Sequence, residues 1–345
     1  MKICYFGIYN PDESRNRIYM RGFRQLGVDI IECRDNSRGF VKYFKLFKKH
    51  WKIRNDYDLM IVGYPGHSVV PLAKIISRKK VFFDALCSMY EGVVISRQKF
   101  SPFSLSAFYY KMIDLLAVRF ADIILLETQN QKKYFENNFG QSSKYRVVYT
   151  GADDSIYHPD LNIKKRDKFT VVFRGKFLPE AGVKYVISAA KFLENENVDF
   201  LIIGNGWLEK EVIQQIEDLK PLNLEFVNKF VPDGELQRMM LSCHISLGQF
   251  ENHERLMRTV PHKAYESLAL GLPYVTARAD GVSEILTDRV NCIMVNPSDP
   301  QDLARKILEL RDDPSLVESL AEKGLELYKN KFTPKVLSEK ILDSI

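Results

Sequence analysis

Residues 248–284, GQFENHERLMRTVPHKAYESLALGLPYVTARADGVSE, constrain this chain more than any other stretch. Their pattern predicts a loop, a helix, a tight turn, a short strand and a second turn leading into a helix. Pro261 suits the first turn of a helix, where its missing N–H costs nothing. Ala264, Leu268 and Leu270 then form an apolar face. Gly271 ends the helix as a left-handed residue, and Pro273 prevents its continuation. Tyr274, Val275 and Thr276 read as a short buried strand. Ala279 to Val282 read as a turn, with Ser283 placed to cap a helix carrying Glu284.

The chemistry lies in what the first of these helices presents. Arg258, His262, Lys263 and Glu266 fall in or just before its N-terminus. Unpaired N–H groups and partial positive charge there favour an anion. Arg and Lys add formal charge and donors, and a carboxylate such as Glu266 suits a ribose diol. Together these groups describe a site for a nucleotide diphosphate. An amphipathic helix with a solvated charged face has the same spacing.

The run PHKAYESLALGLPYVT followed by GVSEI resembles the donor-binding segment of the family-4 retaining glycosyltransferases, which have the GT-B fold. That family pairs two glutamates eight positions apart, then a small-residue helix, a G-x-P turn and a Gly-x-x-Glu turn. Glu266 matches the second glutamate, and Gly281 and Glu284 match the last turn. Arg258 stands where the first glutamate is expected, although some branches carry R-x-x-P-x-K-x-x-E as this chain does. The resemblance extends upstream. GKFLPEAGVKYVISAA is similar to the family's G-R-L-x-x-x-K-G-x-x-x-L-x-x-A, with Gly175 in place, Lys176 at the Arg and Ala181 at the Lys. Both of those family positions bind the donor diphosphate, where cations offset the leaving group's charge. With Ala181 uncharged, the missing cation is expected from Lys263, Arg258 or Arg174. Gly204 and Gly206, in IIGNGWLE, let the backbone approach a ligand closely; a plain tight turn has the same signature.

The first half opens with a doubly wound pattern. KICYFGI is an apolar run suited to a strand buried on both faces of a parallel sheet, and Gly7 lies at its end. A helix through Met20, Phe23 and Leu26, then VDIIEC, completes a βαβ unit. A G-x-G-x-x-G motif is absent. In the family this Gly7 loop lies near the donor phosphates and the acceptor, so Arg15 and Arg17 are candidates to face the cleft; solvated arginines at a helix start have the same pattern. KKVFFDAL is a strand ending at Asp84; Asp84, Tyr90 and Glu91 sit where the family often has a His or Asp, and Asp84 is the candidate contact to an acceptor hydroxyl, although a simple helix cap has the same signature. CSMYEGVVISRQKFSPFS after it reads as a long irregular loop. His67, in YPGHSVV, has no evident partner.

Charge is unevenly divided. Residues 1–158 carry 25 Lys and Arg against 15 Asp and Glu, and residues 159–345 carry 25 against 29. The segment RGFVKYFKLFKKHWKIR (38–54) holds seven basic residues and no acidic one. Phe40, Phe44, Phe47 and Trp51 recur at helical spacing, which reads as a membrane-surface helix. A crossover helix packing its aromatic stripe on the sheet is the alternative. No recognition motif for nucleic acid accompanies the charge. The five cysteines, Cys4, Cys33, Cys87, Cys243 and Cys292, are scattered without metal-ligand spacing and are expected to be reduced thiols. No run is long and apolar enough to span a bilayer, and the N-terminus reads as a first strand rather than a signal peptide.

These readings combine into an α/β protein of GT-B type, two Rossmann-like doubly wound domains facing a central cleft. The expected boundaries are 1–158 for an acceptor domain, 159–330 for a donor domain and 331–345 for a helix returning to the first domain. The resemblance implies a glycosyltransferase that moves a sugar from a nucleotide diphospho-sugar to a hydroxyl with retained configuration, in surface polysaccharide or glycolipid assembly. It implies no metal, in keeping with the missing D-x-D motif, and no cofactor beyond the donor. The basic first half suits a lipid-linked acceptor at the cytoplasmic face of a membrane. A nucleotide-sugar epimerase of the same fold and a non-catalytic nucleotide-sugar-binding protein are the alternatives.

Overall fold

The computed structural model describes residues 1–345, which divide into two compact units, Met1–Gly151 with Thr333–Ile345, and Ala152–Phe332. The connector TGADDSIYHPD gives its last nine residues to the second unit, where Tyr157 is buried and the Ala152 carbonyl accepts the Tyr328 hydroxyl at 3.0 Å.

In the first unit the order is β1 (Lys2–Gly7), α1 (Ser14–Gln25), β2 (Asp29–Arg34), α2 (Val41–Ile53), β3 (Leu59–Val62), α3 (Val70–Ile76), β4 (Val81–Leu86), α4 (Leu105–Phe120), β5 (Ile123–Leu126), α5 (Gln129–Phe139) and β6 (Tyr145–Val147). The strands form one parallel sheet, β2-β1-β3-β4-β5-β6. Continuous apolar runs make this possible, because alternate residues feed opposite faces. Cys4, Phe6, Met60, Val62 and Phe83 enter one core, while Ile3, Tyr5, Ile61 and Phe82 enter the other.

Two local expectations change and one alternative falls. The segment after β4 is wound and buried or half-buried at 87–96, with a π-type turn at Glu91–Ile95, and only 97–103 form the exposed irregular loop. Buried Asp114 of α4 holds its start, accepting the Ser88 hydroxyl at 2.6 Å and the Met89 and Tyr90 amides at 3.0 and 2.9 Å. A carboxylate that satisfies otherwise orphaned N–H groups offsets its own burial. His67 is also partnered: its Nε2 lies 3.0 Å from the Cys87 carbonyl, and its ring meets Phe83 edge-on at 4.7 Å. Helix α2, finally, does not turn its aromatic stripe to the sheet. It packs through Leu46 and His50, flanked by Tyr43 and Ile53, and leaves Phe40, Phe44, Phe47 and Trp51 exposed.

The second unit runs β7 (Phe169–Arg174), α6 (Val183–Phe192), β8 (Val198–Ile203), α7 (Glu209–Leu219), β9 (Leu224–Val227), α8 (Asp233–Leu241), β10 (Ile245–Leu247), α9 (His262–Ala269), β11 (Tyr274–Ala277), α10 (Asp280–Ser283), β12 (Ile293–Val295), α11 (Pro300–Asp312) and α12 (Pro314–Lys331). Its parallel sheet is ordered β12-β11-β10-β7-β8-β9, so the chain reverses direction between β7 and β10. Helix α10 is only four residues long; Ser283 is exposed within it and caps nothing, and Glu284 is its C-cap. The chain needs that early stop to reach the Asp288–Cys292 bridge and β12.

The last helix, α13 (Pro334–Leu342), belongs to the first unit and packs on α1. A Cβ at Gly22 would stand 1.9 Å from the Pro334 carbonyl oxygen, so glycine is required for this approach. Ser338 donates to the Tyr19 carbonyl at 3.1 Å, and Leu337 and Ile341 complete one core. All five cysteines are free and buried, and no helix is long and apolar enough to cross a membrane.

Candidate functional site

In an open parallel sheet, adjacent loops diverge where strand order reverses and leave a crevice at the carboxyl ends. Here that point lies between β7 and β10. Strand β7 delivers Arg174-Gly175-Lys176 to it, β10 delivers Gly248, and α9 begins beside them.

Lys263, in the first turn of α9, points inward. Its Nζ donates to the Gly248 carbonyl at 3.3 Å and sits 3.8 Å from the centroid of the Phe173 ring. A Cβ at Gly175 would stand 3.6 Å from that nitrogen, so the glycine leaves space around it. Burial, and then the neighbouring Arg174, push the Lys263 ammonium well below the ordinary lysine range; Glu180 pulls it back only in part. One long hydrogen bond and a ring face are little compensation for a buried ammonium. An anion placed here would supply the missing charge.

Arg174 lies beside it and forms an ion pair with Glu266, which is also buried. The Arg174 Nε is buried without a hydrogen-bond partner, and burial lowers the guanidinium's affinity for its proton. A third cation, Arg255, approaches Glu180 at 3.6 Å. Lys176 is exposed on the same loop as Gly175. The site therefore gathers Arg174, Lys176, Arg255 and Lys263 around two carboxylates.

Of the residues singled out from the sequence, Arg174, Gly175, Lys263 and Glu266 come together. His262, half-buried, is the first residue of α9. Arg258 ends the preceding 3-10 turn and pairs with Glu254 at 2.8 Å. Gly281 serves packing: its Cβ would stand 2.3 Å from the Thr259 carbonyl oxygen, so it seats that turn on α10, which ends at Glu284. Gly204 and Gly206 likewise have structural reasons for being glycine. A Cβ at Gly204 would stand 2.0 Å from the Gly175 carbonyl oxygen, and one at Gly206 would stand 2.6 Å from the Phe177 amide. Ala181 is buried in the hydrophobic core with Phe177 and Val183, so its side chain faces apolar residues.

Gly7 and Asp84 belong to the first unit. Gly7 closes β1 with φ +130°. Asp84 is fully buried and accepts both hydrogen bonds from Arg15 Nε, at 2.8 and 3.0 Å. Arg15 Nη1 also reaches the Val148 carbonyl and the Thr150 hydroxyl, each at 3.1 Å. Arg15 is thus not open to a ligand, and Asp84 is occupied by an internal ion pair rather than offered to an acceptor. Arg17 is half-buried on α1.

The sequence reading passed over Arg255 and Glu180. Their opposite charges lie 75 positions apart in two loops, and nothing local couples them.

The sequence profile of the glycosyl transferases group 1 family matches residues 155–327, half of the chain and nearly all of the second unit. The chain belongs to the glycosyl transferases group 1 family. Among its curated relatives in that family, a glycosyltransferase of Methanocaldococcus jannaschii is 28% identical over 199 residues, covering 57% of this chain and 53% of its own length. The lipopolysaccharide core biosynthesis glycosyltransferase LpsD of Rhizobium meliloti is 31% identical over 177 residues, covering 51% and 49%. The chain thus spans about half the length of these relatives. Anabaena Alr3699/HepE, solved in complex with UDP-glucose, aligns with a TM-score of 0.75 over 100% of this chain and 99% of its own, at 18% identity. At that identity the likeness is one of fold, and the fold of this group 1 member is GT-B, built from two parallel six-stranded doubly wound sheets.

Proposed function

We propose that the protein is a retaining glycosyltransferase of family 4 that moves a hexosyl group from a nucleotide diphospho-sugar to an acceptor hydroxyl. The observation that carries this reading is the under-compensated Lys263 ammonium beside Arg174 at the β7/β10 crossover. In the proposed reaction the acceptor oxygen bonds to the anomeric carbon as its bond to the diphosphate breaks. Lys263, Arg174 and Lys176 take up the charge that develops on the leaving diphosphate, a role that needs no metal. The acceptor's proton passes to a leaving phosphate oxygen, so no protein base is required. The neighbour HepE, solved with UDP-glucose, supports a uridine nucleotide as the first donor to test. LpsD and the capsular polysaccharide glycosyltransferase CapM of Staphylococcus aureus support a place in surface polysaccharide assembly. A thermal-shift screen of nucleotide sugars, followed by turnover with a lipid extract, tests the reading. A stabilising nucleotide sugar with no transfer would favour the non-catalytic binding protein.

Glu266 is assigned to the ribose diol. Glu266→Ala should weaken nucleoside diphosphate binding by about 1.5–3 kcal/mol, the scale of a charge-assisted hydrogen bond. The carboxylate also pairs with Arg174, so the distinguishing measurement compares the ribonucleotide with its 2′,3′-dideoxy analogue. Wild type should prefer the former and Glu266→Ala should not. An equal preference in both proteins would leave Glu266 only as the partner of Arg174.

The acceptor is assigned to an anionic membrane surface, at its cytoplasmic face. Support comes from residues 38–54 around α2, where Phe40 is 89% and Phe44 69% exposed among seven basic residues. Each cation near an anionic leaflet contributes about 1 kcal/mol. Changing Lys42, Lys45, Lys48 and Lys52 to Glu should abolish flotation with anionic liposomes and leave nucleotide binding intact. Absence of wild-type flotation even at low salt would dismiss this part of the reading.

A further inference from the structure

Exposed apolar side chains in the first unit are not confined to α2. Phe103 is 99% exposed, Leu105 89%, and Phe100, Phe108 and Tyr109 are exposed beside them. These residues belong to the loop before α4 and to its first two turns. Ser104 fixes the start of that helix, its hydroxyl accepting the Ala107 amide at 3.1 Å, so the apolar cluster stands on an ordered base.

The cluster extends toward the aromatic face of α2. Phe100 and Tyr110 lie 6.0 Å apart between centroids, and Tyr110 and Tyr109 lie 5.5 Å apart. Tyr43 is near enough to Tyr109 to help burial push its phenol up. Phe40 then lies 6.2 Å from Tyr43. Rings therefore step from the α4 loop toward Tyr43 of α2, and α3 packs against both helices.

Charge identifies what such a surface fits. Residues 97–111 contain Arg97, Lys99 and Lys111 and no Asp or Glu, and residues 38–54 contain no Asp or Glu either. Isolated exposed apolar residues need no explanation, but a contiguous patch does. Rings and a leucine flanked only by cations match the boundary between acyl chains and anionic headgroups. A second copy of the chain would set one cationic face against another, which opposes self-association. A soluble polyanion would use the cations and leave the rings in water.

We infer that Phe100, Phe103, Leu105 and Phe108 form the inserting edge of a docking face, shared by the start of α4 and the aromatic face of α2, for an anionic lipid bilayer. The inference rests on the membrane reading of α2 and adds a second element that enters the acyl region. It has a consequence for salt dependence. Attachment through α2 lysines alone weakens steeply as salt screens it, whereas insertion of apolar side chains persists.

The test uses the full chain and vesicles of phosphatidylcholine with and without phosphatidylglycerol. Phe103→Ser combined with Leu105→Ser should lower the partition coefficient on the anionic vesicles at least about tenfold, and should shrink the part that survives high salt. Both positions are exposed, so folding should be unaffected, which unchanged thermal unfolding would verify. In a Trp51→Phe, Trp207→Phe background, Phe103→Trp should shift to the blue on vesicle addition and be quenched by lipids brominated in the acyl chain. If vesicles bind through the α2 lysines but the Phe103→Trp emission does not move, the inserting edge is overturned and the α2 reading stands. If the wild type does not bind vesicles, both fall. Conversion of a dimer to a monomer by the serine variant, with no change on vesicles, would assign the face to self-association and overturn the inference.

Discussion

Replacing Lys263 by alanine should lower kcat/KM for sugar transfer by about 10²–10³, the usual cost of removing one donor from developing negative charge. The expectation rests on position, since Nζ is buried beside Arg174 with only the Gly248 carbonyl and the Phe173 ring for company. Near-wild-type turnover at saturating acceptor would reduce Lys263 to a structural side chain. The depressed pKa adds a consequence with a defined sign. Below the folded-state value, folded and unfolded chains both hold the proton, and the cost of burying the ammonium is present in full. Between that value and the ordinary lysine value only the unfolded chain holds it, so stability rises as pH climbs through the window. A bound diphosphate raises the pKa again, and binding within the window should take up a proton. Calorimetry in buffers of different protonation enthalpy should detect that uptake in wild type and not in Lys263→Met.

Asp84→Asn should destabilise the first unit by about 3–5 kcal/mol, because it leaves the fully buried Arg15 guanidinium without its counter-charge. Arg15 would keep the Val148 carbonyl, the Thr150 hydroxyl and the more distant charge of Glu127, which do not replace a directly bonded carboxylate. The double variant Arg15→Met, Asp84→Leu should cost less than Asp84→Asn alone, since the stranded guanidinium is gone, although buried Glu127 loses a neighbouring cation and limits the saving. Chemical denaturation followed by a probe in the first unit measures both. An Asp84→Asn protein of wild-type stability with impaired turnover would return Asp84 to the role of acceptor contact.

The sequence was most legible where one residue type has one physical use. Apolar runs such as KICYFG and VVF specify strands buried on both faces, and Gly271 with Pro273 ends a helix in one manner only. Legibility failed where a pattern has two solutions. Helix α2 carries two apolar stripes at the same period, Phe40, Phe44, Phe47 and Trp51 on one side and Tyr43, Leu46, His50 and Ile53 on the other. Periodicity identifies both, and only the third dimension shows that the smaller stripe is buried. Gly204 and Gly206 posed the same problem, because close approach of backbone to ligand and of backbone to backbone demand the same residue. Pairings across long separations, such as Arg15 with Asp84 or Arg255 with Glu180, left no local trace. The buried cation at Lys263 was readable as a helix-terminal charge, but its inward rotamer, and with it the lowered pKa, was not.

The discontinuity of the first unit has a consequence for the order of events during synthesis. Helix α13 supplies Leu337 and Ile341 to a core otherwise built from residues up to Tyr149, and the whole second unit is translated in between. A ribosome-bound chain that has emerged through α12 can assemble the second sheet, yet the apolar surface of α1 around Gly22 still waits for its cover. The half made first is therefore the half finished last. Deletions within 333–345 should then act as lesions of the amino-terminal half, read out by proteolysis there rather than near the cut.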